Sequence, residues 1–126
     1  MSKTTYKNLT DELGKYSQAQ YPYEACGLIT KEFKFISSNN LSAKPKSSFV
    51  IDPLLLIEHD ENIWGVFHSH PDENYQEPSE ADLQMLIYED LKFILGINDK
   101  FYIYWYDKNK KMKRFEKLNE NHFKHN

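Results

Sequence analysis

Cysteine is almost missing from this chain: Cys26 is the single one in 126 residues. No internal disulfide can form, and a reducing compartment, a cytoplasm, is expected. Long apolar runs are also lacking. The longest, such as Pro53 to Ile57 and Phe93 to Ile97, fall far short of the roughly 20 residues a membrane-spanning helix needs, so no membrane partner is expected. Met1-Ser2-Lys3-Thr4-Thr5-Tyr6 has no apolar signal-peptide region. An excess of positive charge is absent too: the formal net charge is −3, with Lys mixed among Asp and Glu. That balance argues against a nucleic-acid partner recognised by charge. Repeats and a composition break are lacking, and 126 residues suit one domain with a single core, 1–126. Abundant Lys, Asn, Tyr, Phe and Ile fit an AT-rich coding genome.

What is present reads as helices alternating with short strands. Tyr6, Leu9, Leu13 and Tyr16 recur at helical spacing, predicting an amphipathic helix from about Thr4 to Gln18 that Pro22 stops. Gly27 to Thr30 and Phe33 to Ser37 read as paired strands around Lys31-Glu32. Ser38 to Ser47, rich in Ser, Asn and Lys with Pro45, is a loop, and Ser48 to Ile51 a short strand. Asp52-Pro53 fits a helix start, Asp as N-cap and Pro at the first helical position, with the helix running to about Asp60. Ile63 to His68 alternates as a strand. A second long helix begins near Ser79. Lys92 to Ile97, Phe101 to Tyr106 and Lys111 to Glu116 are further strands, the last two joined by the turn Asp107-Lys108-Asn109-Lys110. The domain core spans about 4–116, and the polar tail 117–126 is expected to fray.

The chemistry concentrates in His68-Ser69-His70-Pro71 and Pro78-Ser79-Glu80-Ala81-Asp82. Side chains alternate faces along a strand, so His68 and His70 point the same way and offer two imidazoles to one metal ion. Asp82 can supply a third, anionic ligand. Two His and one carboxylate leave a fourth tetrahedral position open for water, which distinguishes a catalytic zinc site from a closed structural one. An acid is then needed to deprotonate that water, and Glu24 in Tyr21-Pro22-Tyr23-Glu24-Ala25-Cys26-Gly27-Leu28-Ile29 is the candidate.

The ordered set Glu24, His68-Ser69-His70-Pro71, Ser79 and Asp82 resembles the JAMM (MPN+) metallopeptidases, whose pattern is a glutamate, then His-Ser/Thr-His-Pro, then Ser-x-x-Asp. The resemblance runs roughly from Tyr6 to Arg114. Within the family the phrases Glu-Ala-Cys-Gly and His-Ser-His-Pro…Pro-Ser-Glu-Ala-Asp look closest to the compact prokaryotic and phage branch, which includes the JAMM domain of lambda-like tail assembly protein K. Eight residues, Pro71 to Pro78, separate His70 from Ser79, one more than eukaryotic members usually place there; a slightly longer loop costs little to close. The resemblance implies an α/β fold, a single JAMM/MPN-type (cytidine-deaminase-like) domain with a mixed sheet flanked by helices. It implies one Zn²⁺ per chain held by His68, His70 and Asp82, with Glu24 as general base and Ser79 as hydrogen-bond donor to the oxyanion. It also implies hydrolysis of a peptide or isopeptide bond. Three roles are open. The first is phage tail-tip assembly or cell-wall peptide cleavage, with tail proteins or peptidoglycan peptides as partners, in a host cytoplasm or a virion tail. The second is processing the C-terminus of a ubiquitin-like sulfur carrier. The third is a non-catalytic binding or scaffold module, against which the complete motif argues. His₂-carboxylate sites also accept Fe²⁺, Mn²⁺ and Co²⁺.

Several of these residues have plainer readings. Ser79-Glu80-Ala81-Asp82 before Leu83, Leu86 and Ile87 is also a capping box, and a helix N-terminus is a rigid place from which to aim an Asp. Ser69 faces away from the two imidazoles and reads as structural. His59 ends a helix, where a cation is favoured, and His122 and His125 lie in the tail. Cys26 lacks a paired base and reads as a buried core thiol. Phe101, Tyr102, Tyr104, Trp105 and Tyr106 read as a strand packed on both faces, with a peptide-binding surface as the alternative.

Overall fold

The structure, a computed structural model, describes residues 1–71, 91–107, 109 and 111–124. Ser2 accepts the Thr5 N–H at 3.1 Å and starts helix α1, Lys3–Gln20, somewhat longer than its apolar spacing predicts. Leu9 and Leu13, four residues apart, lie on one face and are buried. The strands are β1 (Cys26–Thr30), β2 (Phe35–Ser38), β3 (Ile63–Ser69), β4 (Lys92–Ile97), β5 (Lys100–Tyr106) and β6 (Met112–Lys117). A short helix α2, Pro53–Glu58, and a 3-10 turn, Asp60–Asn62, precede β3. Asp52 caps α2 through a 3.0 Å bond from the Leu54 N–H, with Pro53 in the first turn, as the sequence predicts.

The strands form one mixed sheet in the order β2-β1-β3-β4-β5-β6. Only β3 and β4 run parallel; the other neighbours are antiparallel. Successive residues face opposite sides of the sheet, and two cores result. One face carries Cys26, Leu28, Val66, Phe93, Leu95, Ile97 and Tyr104, and is covered by Phe49 and Ile51 with Leu55 and Leu56 of α2 packed against them. The other carries Ile29, Phe67, Ile94 and Ile103, and is covered by Leu9 and Leu13 of α1 and by Leu118 and Phe123. The aromatic run of β5 divides between these faces: Tyr102, Tyr104 and Tyr106 to the first, Phe101 and Trp105 to the second. That is the two-sided packing its composition predicts. Gly27 lets β2 close on β1, since a Cβ there would lie 2.4 Å from the Ile36 carbonyl oxygen and 2.5 Å from the Phe35 ring.

Two expectations are corrected. Ser48 to Ile51 is not a strand: its alternation is real, with Phe49 and Ile51 buried and Val50 exposed, but its hydrogen bonds go to the loop. The Val50 N–H donates to the Asn40 side chain and the Val50 carbonyl accepts from Leu41. Phe33 is in the turn rather than in β2; its φ of 63° breaks the extended run, and its ring packs on Trp64 and Phe123. Phe123 is buried, and His122 closes a capping box, its Nδ1 accepting the Asn119 N–H at 3.0 Å while Nε2 meets Glu116 at 2.8 Å. The helix expected from Ser79, with Ser79 and Asp82 themselves, lies outside the described residues, as does His125.

Candidate metal centre

The site is built where β1 begins and β3 ends. Cys26 pairs with His68 across these antiparallel strands, and continuing that register by two residues sets Glu24 opposite His70. The last rung is made by Ala25 and Ser69: the Ser69 N–H donates to the Ala25 carbonyl at 3.0 Å, and the Ala25 N–H donates to Ser69 Oγ at 2.8 Å. Ser69 thus faces away from the imidazoles, as its position predicts, and ties Glu24's neighbour to the histidine strand. The Glu24 backbone is fixed on its other side by the 39–48 loop. Its N–H donates to the Pro45 carbonyl at 2.7 Å, and the Asn40 side chain donates to its carbonyl at 3.0 Å. Beyond β3, the His70 N–H continues the parallel ladder by donating to the Gly96 carbonyl at 2.9 Å.

Three of the expected site's side chains therefore converge. Glu24, His68 and His70 each offer one ligand atom, all within 4.8 Å of one another, and all three residues are buried. His68 Nδ1 lies 3.7 Å from Glu24 Oε1. Among the described residues no donor reaches Glu24 Oε1, although that oxygen is sealed from solvent. A buried carboxylate oxygen is costly unless a hydrogen bond or a cation answers it. The donor set of two imidazoles and a carboxylate suits zinc and other first-row metals. These residues could hold a metal ion.

Two neighbours of His68 are ones the sequence does not link to the site. The Tyr104 hydroxyl lies 2.8 Å from His68 Nε2, and Phe49 stacks on the imidazole at 4.6 Å between centroids and 20° between planes. Alternation along β5 shows that Tyr104 shares a face with Tyr102 and Tyr106, but not that this face carries His68. Cys26, beside Glu24, is no nucleophile. Burial pushes its thiol up to about 12, a side-chain hydrogen bond with Ser38 only partly opposes this, and the nearby Glu24 carboxylate adds to the rise. At neutral pH it stays a thiol. His59 caps the C-terminal end of α2, away from this cluster.

A cavity of about 360 Å³ adjoins His70, lined by Gly14, Ser17, Tyr21, Pro71, Asn98 and Phe101 among others. It opens between α1 and the β4–β5 turn, on the side of the sheet that Ser69 faces, and neither Glu24 nor His68 lines it. Among the described residues no helix is long and apolar enough to cross a membrane.

The family model describing prokaryotic homologues of the JAB domain matches residues 7–116. No curated protein matches the chain. Among solved structures, the solution structure of protein DSY2949 from Desulfitobacterium hafniense is similar, with a TM-score of 0.65 and 21% identity, over 95% of this chain and 97% of that one. At that identity the likeness speaks for the fold, a mixed sheet flanked by helices.

Proposed function

This chain belongs to the prokaryotic JAB-domain family, which includes metallohydrolases, and from that premise we propose that it is a zinc-dependent peptidase or isopeptidase. The observation that carries the reading is the buried convergence of Glu24, His68 and His70 within 4.8 Å. His68, His70 and Asp82 would hold the metal, Asp82 being assigned by its motif position. Bound there, Zn²⁺ supplies Lewis acidity that makes water nucleophilic near neutral pH and polarises the scissile carbonyl.

The protein's own groups do the rest. Glu24, held by its backbone bonds to Pro45 and Asn40, takes a proton from the attacking water at its carboxylate and returns it to the leaving nitrogen. Ser79 donates a hydrogen bond to the carbonyl oxygen as it gains charge, a contact worth on the order of a hundredfold in rate. The sequence phrases around Glu24 and His68 support a role in phage tail-tip assembly or cell-wall peptide cleavage, with sulfur-carrier processing as the alternative substrate class.

The test is hydrolysis of a panel comprising tail proteins, cell-wall peptides and ubiquitin-like carrier fusions, before and after chelation. Cleavage of one class that stops on chelation and returns with added Zn²⁺ is expected. Cleavage indifferent to chelation, or none by zinc-loaded protein on any class, would leave the domain as a binding module.

A further inference from the structure

We infer that the groove between α1 and the β4–β5 turn binds an extended peptide carrying a lysine or arginine. The cationic side chain lies against Asp99, and a backbone carbonyl of the peptide accepts from the Ser69 hydroxyl. Neither contact involves the metal, so the inference goes beyond the hydrolase reading and does not rest on it.

The groove follows one stripe of α1. Gly14 and Gln18 border the cavity of about 360 Å³ beside Pro71, and they also border a second, of about 340 Å³, that continues past Thr10 to Tyr6. Tyr6, Thr10, Gly14 and Gln18 are spaced four apart and share one face of the helix. From Tyr6 to Gln18 the stripe is about 18 Å long, a length that about five residues of extended chain would cover. Phe101 and Asp99 line both cavities. Close packing does not demand Gly14: a Cβ there would meet nothing nearer than the Phe101 ring at 4.0 Å. Its missing side chain leaves the groove open.

Two groups in the cavity beside Pro71 are left for a ligand. Ser69 is 6% exposed, and its Oγ accepts the Ala25 N–H at 2.8 Å. A hydroxyl also donates once, and among the described residues no acceptor meets that hydrogen. Ser17, which lines the same cavity, differs, because its hydroxyl already donates to the Leu13 carbonyl at 2.8 Å. A buried donor without an acceptor is costly, and a peptide carbonyl entering the cavity supplies one. The second group is the Asp99 carboxylate. Asn98 and Asp99 make the two-residue β4–β5 turn, at φ of 50° and 62°, so the carboxylate is presented from a tight hairpin. Among the described residues it has no ion pair, whereas Asp11 in the second cavity is answered by Lys7 at 2.8 Å. Lys15 borders that second cavity, and no Lys or Arg is among the described residues that line the first. A carboxylate beside Phe101 and the exposed Tyr21 suits a long cationic side chain, whose methylenes cover aromatic surface while its charge meets Asp99. The exposed amides of Gln18 and Asn98 each offer a donor and an acceptor to the peptide backbone.

The test is an NMR titration of the full chain, zinc-free and zinc-loaded, with capped peptides of alanine and tyrosine that differ at one central residue: lysine, arginine, norleucine or glutamate. Saturable shifts at Gly14, Gln18, Ser69 and Asp99 are expected, with lysine and arginine peptides bound more tightly than norleucine and glutamate weakest. Asp99→Asn keeps a residue that tolerates positive φ. It should weaken the lysine peptide by about 2–5-fold, to the level of norleucine. Gly14→Leu fills the groove while removing a glycine from a helix interior, which favours folding. It should weaken every peptide by about tenfold or more. Saturation by none of the peptides, shifts confined to other surfaces, glutamate bound as tightly as lysine, or full affinity in a folded Gly14→Leu protein would each overturn the inference. Zinc uptake and hydrolysis are read separately, so the groove and the proposed function stand or fall independently.

Discussion

Glu24→Gln is expected to bind Zn²⁺ as the wild type does while hydrolysis falls by about 10²–10⁴-fold, the usual contribution of a positioned general base. The amide has nearly the shape of the carboxylate and fits the same buried space, where the Glu24 backbone is fixed by Pro45 and Asn40. What it loses is the ability to take a proton. The same substitution separates two roles that proximity alone leaves joined, because Glu24 Oε1 is close enough to His68 Nδ1, at 3.7 Å, to be a ligand itself. Equal metal content with lost hydrolysis makes Glu24 the base; lost metal makes it a ligand; retained hydrolysis removes it from the mechanism. Metal content and rate must therefore be measured on the same preparation.

His70→Ala is expected to lose both metal and activity. His70 is one of only two imidazoles in the cluster, and its backbone is held by Gly96 at the end of the parallel β3–β4 ladder. Deleting a ligand atom should weaken zinc by more than the roughly 10–100-fold that losing an outer partner costs. The fold should survive, since His70 follows β3 rather than sitting inside it. The variant would then keep the wild-type circular dichroism spectrum but lose the rise in Tm that zinc confers on a protein binding it only when folded. A zinc-dependent Tm in His70→Ala equal to the wild type's would count against this site.

The two histidines were legible from sequence because their relation is local: alternation along one strand puts His68 and His70 on one side whatever the rest of the chain does. Glu24 was not legible in that way. Its place depends on the register between β1 and β3, which no spacing within either strand reveals, and only the family pattern pointed to it. The same limit hid Tyr104 and Phe49. Tyr104 belongs to a strand expected to pack, and both residues are buried, but contact with His68 depends on strand order and on a loop folded over the sheet. The false strand at Ser48 to Ile51 has a related cause. Alternating burial is what sequence displays, whereas the missing neighbour strand, replaced by the Asn40 side chain, is not. Phe33 shows the complementary error, an aromatic residue of high strand propensity held at positive φ by a tight turn and by ring contacts from distant segments. In the tail, polar composition concealed the two apolar residues, Leu118 and Phe123, that pin it to the α1 side of the sheet.

The most direct test of the central claim, that this buried cluster holds a metal, is an anomalous difference map at the zinc edge from crystals of the zinc-loaded protein. The account predicts one peak per chain, about 2.0–2.2 Å from a nitrogen of His68, a nitrogen of His70 and a carboxylate oxygen of Asp82. A fully loaded crystal whose zinc lies elsewhere, with His68 and His70 unligated, would contradict it.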